Sequence, residues 1–316
     1  MRIAVLIPCY NEEGSVENVV RDFRGALPEA TVYVYDNNST DRTAEAAAAV
    51  GAVVRRESRR GKGYVIQRMF ADVEADVYVL VDGDDTYRAA DAPGMIERLC
   101  NEQFDLVNGV RVASGDSAYR PGHRFGNSIL SGLVSAIFGG RITDMMSGYK
   151  VFSRRFVKTF SGPASGFEID TVLIVHALAM GMPVAEMQTS FKGRRAGSAS
   201  KLSTLRDGRN VLWTILRLMV EEHPVYVFGT LTFLSAFLAV YFGYPVVLDY
   251  MNTGQFLQLP SAVLAGAFLG LSFLFFTFGL MLDLIFLARR EAKRLRYLEI
   301  PPPQPLSQHN DVPGPL

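Results

Sequence analysis

Apolar runs and polar clusters alternate along the first eighty residues. Residues 3–7 form an apolar run that stops at a polar turn over 11–14, and a helical pattern follows from 15 to 27, with Ser15 placed to cap it. A second run at 31–35 ends in Asp36-Asn37-Asn38-Ser39-Thr40-Asp41, and an Ala-rich helix follows to residue 50. A third at 52–55 passes through Arg59-Arg60-Gly61-Lys62-Gly63 into a helix to about residue 73, and a fourth at 77–81 runs straight into Asp82-Gly83-Asp84-Asp85. Strand and helix alternate four times. That order predicts a parallel sheet covered on both faces, with ligands bound at the carboxyl ends of its strands, where the polar clusters fall.

The last third follows a different pattern. Residues 225–248 carry no charged side chain and residues 261–288 carry only Asp283. Each stretch exceeds the roughly 20 apolar residues that cross a bilayer as a helix, so a transmembrane hairpin is predicted. Two buried helices of a soluble core are the alternative, against which such length without polar punctuation counts. Residues 289–296 read Arg-Arg-Glu-Ala-Lys-Arg-Leu-Arg, whereas the connection 249–260 has no Lys or Arg. The positive-inside rule then places the C-terminus, and with two spans the N-terminal domain, in the cytoplasm, at the inner or plasma membrane if the source is bacterial. Residues 3–9 are too short an apolar run for a signal peptide. The expected domains are a cytoplasmic unit over 1–222 with a juxtamembrane helix at about 202–222, two spans within 223–288, and a basic, then Pro-rich, disordered tail over 289–316.

Composition sharpens this division. A hydrophobic content of 49% in 316 residues is high for a wholly soluble protein. Equal numbers of basic and acidic residues, 32 each, argue against a nucleic-acid partner. Lys192, Arg194, Arg195, Lys201, Arg206, Arg209 and Arg217 gather ahead of the first span, where they would meet anionic headgroups or form a solvated helix face. Cys9 and Cys100 are two isolated thiols that suit a reducing compartment and spell neither a disulfide framework nor a zinc site.

The candidate chemistry centres on the acidic cluster after the fourth run. Carboxylates as crowded as Asp82, Asp84 and Asp85 repel one another unless a cation sits between them. Oxygen ligands suit Mg²⁺ or Mn²⁺, held through one or two carboxylates plus the phosphates of a substrate. A simple Asx turn is the local alternative. No Gly-x-Gly-x-x-Gly, P-loop, His-Glu-x-x-His or Gly-x-Ser-x-Gly pattern is present, which weakens dinucleotide, ATPase, zinc-protease and serine-hydrolase readings.

Ile7-Pro8-Cys9-Tyr10-Asn11-Glu12-Glu13, Tyr35-Asp36-Asn37-Asn38-Ser39-Thr40-Asp41, Gly61-Lys62-Gly63 and Asp82-Gly83-Asp84 follow in an order and spacing that resemble glycosyltransferase family 2. Within it, the chain is similar to the dolichol-phosphate mannosyltransferase and bacterial polyprenyl-phosphate glycosyltransferase group. Asp144-Met145-Met146-Ser147-Gly148-Tyr149-Lys150, Gly166-Phe167-Glu168-Ile169-Asp170 and the basic loop from Arg194 to Lys201 match that group's second half.

The resemblance implies a glycosyltransferase A-type (GT-A) α/β fold with a mostly parallel sheet, a nucleotide-sugar donor and a Mg²⁺ or Mn²⁺ cofactor. Pro8, Tyr10 and Glu12 match positions that hold base and ribose. Asp36 and Asn37 match the pair that reads the base edge, although the family usually has two acids there, which leaves uracil and guanine both open. Asp82 and Asp84, with Gly83 between them, match the metal-binding Asp-x-Asp, with Asp85 or Thr86 as a third ligand. Lys62, Arg111, Arg124, Arg195 and Lys201 are the candidate phosphate contacts; for Arg111 and Arg124 a plain ion pair competes. Glu168 and Asp170 lie on a predicted helix over 166–180, where one of them can face the acceptor.

A lipid phosphate suits this chain chemically. It is ionised near neutral pH and needs no general base, but it must be held by cations with its tail in a membrane. The basic loop, an apolar segment over 129–138 and the spans would serve it. The implied reaction is inverting transfer of a sugar to a polyprenyl phosphate, giving a lipid-linked monosaccharide. A processive polysaccharide synthase and a non-catalytic nucleotide-sugar-binding membrane module are the alternatives, and self-association through the spans is possible.

Overall fold

The structure, a computed structural model, describes residues 1–113, 123–140, 142–162, 165–192, 204–255 and 258–306; of residues 113, 123–126 and 204–210 it describes the backbone alone. It divides into two compact units, one formed by 1–215 with 293–316 and the other by 216–292.

The first unit opens with four strand–helix repeats: β1 (Ile3–Cys9), α1 (Val16–Ala26), β2 (Thr31–Asp36), α2 (Thr43–Ala49), β3 (Val53–Arg56), α3 (Lys62–Asp72), β4 (Val77–Leu80) and α4 (Ala92–Asn101). Then come β5 (Leu106–Ala113), α5 (His123–Phe138), β6 (Lys150–Ser153), α6 (Arg154–Thr159), α7 (Ile169–Ala179) and β7 (Val184–Phe191), and α8 (Thr204–Glu222) begins in this unit and ends in the second. The strands form one seven-stranded sheet in the order β3-β2-β1-β4-β6-β5-β7. All neighbours are parallel except β6, which runs antiparallel to both β4 and β5.

Side-chain alternation along the strands builds two cores. Val5, Ile7, Val77 and Val79 face Val19 and Phe23 of α1 and Met95 and Leu99 of α4. The opposite pleat carries an aromatic layer, in which Tyr78 and Phe152 meet Phe70 edge-on, and Phe156 and Phe160 flank His176 with ring centroids 5.3 Å away. Burial in that layer pushes the His176 imidazole down to about 3, so it is a neutral packing residue.

Because β1 to β4 are parallel, the polar stretches after them emerge along one edge of the sheet. Ser15 does not cap α1. Its hydroxyl instead donates to the Gly83 carbonyl at 2.8 Å, tying the turn after β1 to the acidic loop after β4.

The second unit contains α9 (Pro224–Thr253) and most of α10 (Leu259–Leu298), both long and apolar enough to cross a membrane. Only 17% and 11% of their most apolar windows are buried, unlike the core helices of a soluble protein. Gly254 ends α9 at φ 69°, a left-handed conformation that glycine adopts without strain. The helices meet through small residues: Ser272 donates to the Thr232 carbonyl at 3.1 Å, and a Cβ at Gly279 would press on Phe228 at 2.9 Å. Arg290 pairs with Glu222 at 2.9 Å.

The expectation of a disordered tail from residue 289 fails over 289–306. The basic stretch continues α10 to Leu298, since Arg, Lys, Glu and Leu are good helix formers. Beyond it, within the first unit, Tyr297 donates to buried Asp105 at 2.7 Å and the Leu306 nitrogen donates to Asn101 at 3.2 Å. Residues 307–316 lie outside the described residues.

Candidate active site

The acidic loop is pinned from several directions. Gly83 is the residue the loop needs at that point, because a Cβ there would lie 2.6 Å from Cys9 Sγ on β1. Asp84 Oδ1 accepts from the Thr86 hydroxyl at 2.6 Å and from the Thr86 nitrogen at 3.3 Å, which closes an Asx turn and fixes the carboxylate. Asp85 takes a positive φ of 58° and pairs with Lys192 at 3.2 Å, while the Lys192 nitrogen donates to the Thr86 carbonyl at 2.8 Å. The Gly148 nitrogen donates to the Tyr87 hydroxyl at 2.8 Å, and a Cβ on Gly148 would land on the Asp82 carboxylate. The expected Asx turn is present, and it fixes one carboxylate of the acidic loop.

Lys62, at the start of α3, reaches across to Asp82 Oδ1 and Asp170 Oδ2, at 2.8 Å each. Burial works against its charge, but the two carboxylates outweigh it and hold the ammonium well above the usual lysine range. Burial raises the Asp170 carboxyl, against the opposing pull of Lys62. Nearby, Lys150 is wholly buried with its ammonium on Asn108 Oδ1 at 2.9 Å and on the Ser147 carbonyl. Burial pulls it down to about 8.

The nucleotide-facing candidates lie on the same edge. Pro8 sits in β1 opposite Tyr35, and Tyr10 is 39% exposed on the turn beyond it. Glu12 is held through its nitrogen by Thr43 Oγ1 at 2.8 Å and accepts from Ser15 at 3.1 Å. Asp36 is buried, accepts from the Ser39 nitrogen and lies 3.7 Å from Arg56; with Ser39, Asp41, Arg55 and Arg56 it lines a cavity of about 270 Å³. The Asn37 side chain is fully engaged, donating to the Glu57 and Arg59 carbonyls at 3.0 and 2.7 Å. An aspartate could not make those two donations, which is a structural reason for the amide where the family usually has an acid.

Other candidates stand elsewhere. Arg111 forks onto Asp144, both bonds 2.7 Å; burial would raise that carboxyl, but the guanidinium holds it below the usual range. This is the ion-pair alternative. Glu168 folds back onto the segment ahead of α7, accepting from the Ser165 and Gly166 nitrogens at 2.9 and 2.8 Å, and makes no side-chain cap bond to the helix. The Arg124 side chain, Arg195 and Lys201 lie outside the described residues. Sequence reasoning missed Asp144, Gly148 and Lys150 as site neighbours, although all three lie in one of the motifs that carried the resemblance.

Among the described residues no group of three or more His, Cys, Asp or Glu gathers as a ligand cluster. The donor set fits a hard cation held by one or two carboxylates and completed by a substrate's phosphates.

The comparisons agree with this geometry. The family model described as glycosyl transferase family 2 matches residues 4–160. Glycosyltransferase AglJ of Haloferax volcanii is 32% identical over 94% of this chain and 98% of its own. The same organism's dolichyl-phosphate hexose transferase is 26% identical over 70% of this chain and 95% of its own. Glucosyl-3-phosphoglycerate synthase from Mycobacterium tuberculosis, solved with Mn²⁺, uridine-diphosphate and glucosyl-3-phosphoglycerate, superposes with a TM-score of 0.55 at 24% identity, covering 68% of this chain and 79% of that one. That likeness shows the GT-A fold. With its mostly parallel sheet, its acidic loop after β4 and a relative matched almost end to end, the chain belongs to glycosyltransferase family 2.

Proposed function

We propose that this glycosyltransferase moves a sugar from a nucleoside-diphosphate sugar to a polyprenyl phosphate, inverting the anomeric centre and releasing nucleoside diphosphate. The observation that carries the reading is the fixed pair Asp82 and Asp84, beside the Lys62 ammonium, in a chain that also bears two exposed apolar helices. The dolichyl-phosphate hexose transferase relative supports the lipid acceptor, and the uridine-diphosphate and Mn²⁺ in the solved neighbour support the donor and the cofactor. That neighbour's phosphoglycerate product points to a soluble acceptor as the second reading, but a soluble acceptor leaves the two helices without a purpose.

Asp82 and Asp84 would hold Mg²⁺ or Mn²⁺. When bound, such an ion neutralises charge on the departing diphosphate. Tyr10 and Glu12 present an aromatic face and a carboxylate for base and ribose, and Asp36 an acceptor for the base edge. Lys62 supplies a compact positive charge for the diphosphate. The phosphate acceptor attacks as an anion, so no side chain needs to take its proton. The positive flank after the second span orients the catalytic unit to the cytoplasm. Purified full-length protein, given polyprenyl phosphate, Mg²⁺ or Mn²⁺ and a panel of nucleotide-sugars, should release nucleoside diphosphate with one of them and form a lipid-linked monosaccharide. Release with none would end this reading, and a polymeric product would replace it with a synthase.

A further inference from the structure

Lys62 already occupies one of the carboxylates assigned to the cation. Its side chain and that of Asp170 are each 8% exposed, whereas Asp82 is 30% exposed, so Asp82 is the end of the triad that meets solvent. The other oxygen of Asp170, Oδ1, is buried and has no hydrogen-bond partner among the described residues. An unmatched carboxylate oxygen beside an ammonium that is shared with a second carboxylate is a vacant acceptor for that ammonium.

The backbone around Lys62 leaves the side chain as the part that can move. Gly61 has a φ of 134°, and a Cβ on it would strike the Ser165 carbonyl, while the Gly63 nitrogen donates to that same carbonyl at 3.2 Å. The start of α3 is therefore seated against the segment that leads into α7, and Asp170 lies in the first turn of α7. The four-carbon stem of a lysine can swing between neighbouring oxygens without disturbing such a seat.

We propose that Lys62 is a built-in counter-ion: a divalent cation must displace it from Asp82, with Asp170 receiving the ammonium, and the ion therefore binds well only together with a diphosphate. The inference rests on Asp82 and Asp84 being the cation-holding pair. An ammonium 2.8 Å from Asp82 opposes a divalent ion on the same carboxylate by like-charge repulsion. A diphosphate relieves the conflict because it offers oxygens to both cations at once. The coupling is reciprocal, so the ion tightens the diphosphate by the same factor. Without a diphosphate, Asp82 keeps the ammonium as its counter-ion and gains little from binding free metal.

The test measures Mn²⁺ binding to the full-length protein in detergent, by calorimetry or by the paramagnetic signal of free Mn²⁺, with and without uridine or guanosine diphosphate. Lys62→Met alone strands a buried carboxylate, so Lys62→Met combined with Asp170→Asn, which removes one charge of each sign, carries the comparison, with its melting curve as a fold control. The double variant is expected to bind Mn²⁺ alone about tenfold more tightly than the wild type, and to gain less than the wild type when diphosphate is added. Equal or weaker binding of Mn²⁺ alone would overturn the counter-ion role, since a lysine that merely props the pocket can only weaken the site when lost. If the wild type binds no Mn²⁺ even with either diphosphate, the cation-holding pair itself is wrong and both readings fall.

Discussion

Asn37 Oδ1 accepts from the Gly61 nitrogen at 2.8 Å, across 24 residues of sequence, and so fastens the loop before α3 to the carboxyl end of β2. With the donations to the Glu57 and Arg59 carbonyls, one amide satisfies three backbone groups of the loop that delivers Lys62. Asn37→Asp should lose both donations and set a carboxylate against two carbonyl oxygens. A loss of about 1–3 kcal/mol in urea unfolding is expected, together with weaker donor binding. An unchanged denaturation midpoint would show that the loop does not depend on this amide.

Asp84 and Thr86 can be separated by mutation. Asp84→Asn should abolish turnover and spare the fold. Thr86→Val removes only the hydroxyl that orients the carboxylate and should cost roughly 10-fold in activity, as outer-shell partners of a metal ligand do. Steady-state release of nucleoside diphosphate and a thermal melt check both.

Gly148→Ala would place a methyl on the Asp82 carboxylate. Because the clash is with a functional side chain that can shift, activity should fall by more than about tenfold while the melting temperature changes little. A variant with normal activity would mean that Asp82 has room the structure does not give it.

His176 sets a pH dependence whose sign can be worked out. Burial holds the folded-state imidazole at about 3, below its ordinary 6.5, so between those values the unfolded chain binds a proton that the folded chain does not. Its contribution is fully present above pH 6.5 and is lost as pH falls toward 3. His176→Leu should therefore lose less stability than the wild type between pH 7.5 and pH 5, read by thermal melts at the two values. A parallel loss in both proteins would assign the acid limb to other groups.

Tyr297 ties the end of α10 to Asp105, which also accepts from Ser153 at 2.6 Å and lies beside Arg155, whose guanidinium stacks 4.6 Å from the Tyr297 ring centroid. Tyr297→Phe keeps the stack and removes one hydrogen bond to a buried carboxylate, for a cost of about 1.5–3 kcal/mol. Truncation before residue 297 should destabilise the catalytic unit further. An unshifted melt after truncation would reduce the C-terminal segment to a passive tail.

Much of this protein was legible in the chain itself. The four strand–helix repeats, the position of the acidic loop at the end of β4 and the two long apolar helices all follow from near-neighbour patterns: period, run length and turn residues. The motif order carried the family for the same reason, since each motif is a short loop at a strand end. What the tertiary structure alone decided are the partners. Lys62 meets Asp170 from 108 residues away, Arg111 spends its fork on Asp144, Ser15 reaches Gly83 instead of capping its own helix, and the basic end of α10 returns to Asp105. Those pairings depend on how β6 inserts antiparallel between β4 and β5 and on which face each helix packs, and no local rule fixes which of several charges a buried ammonium will find.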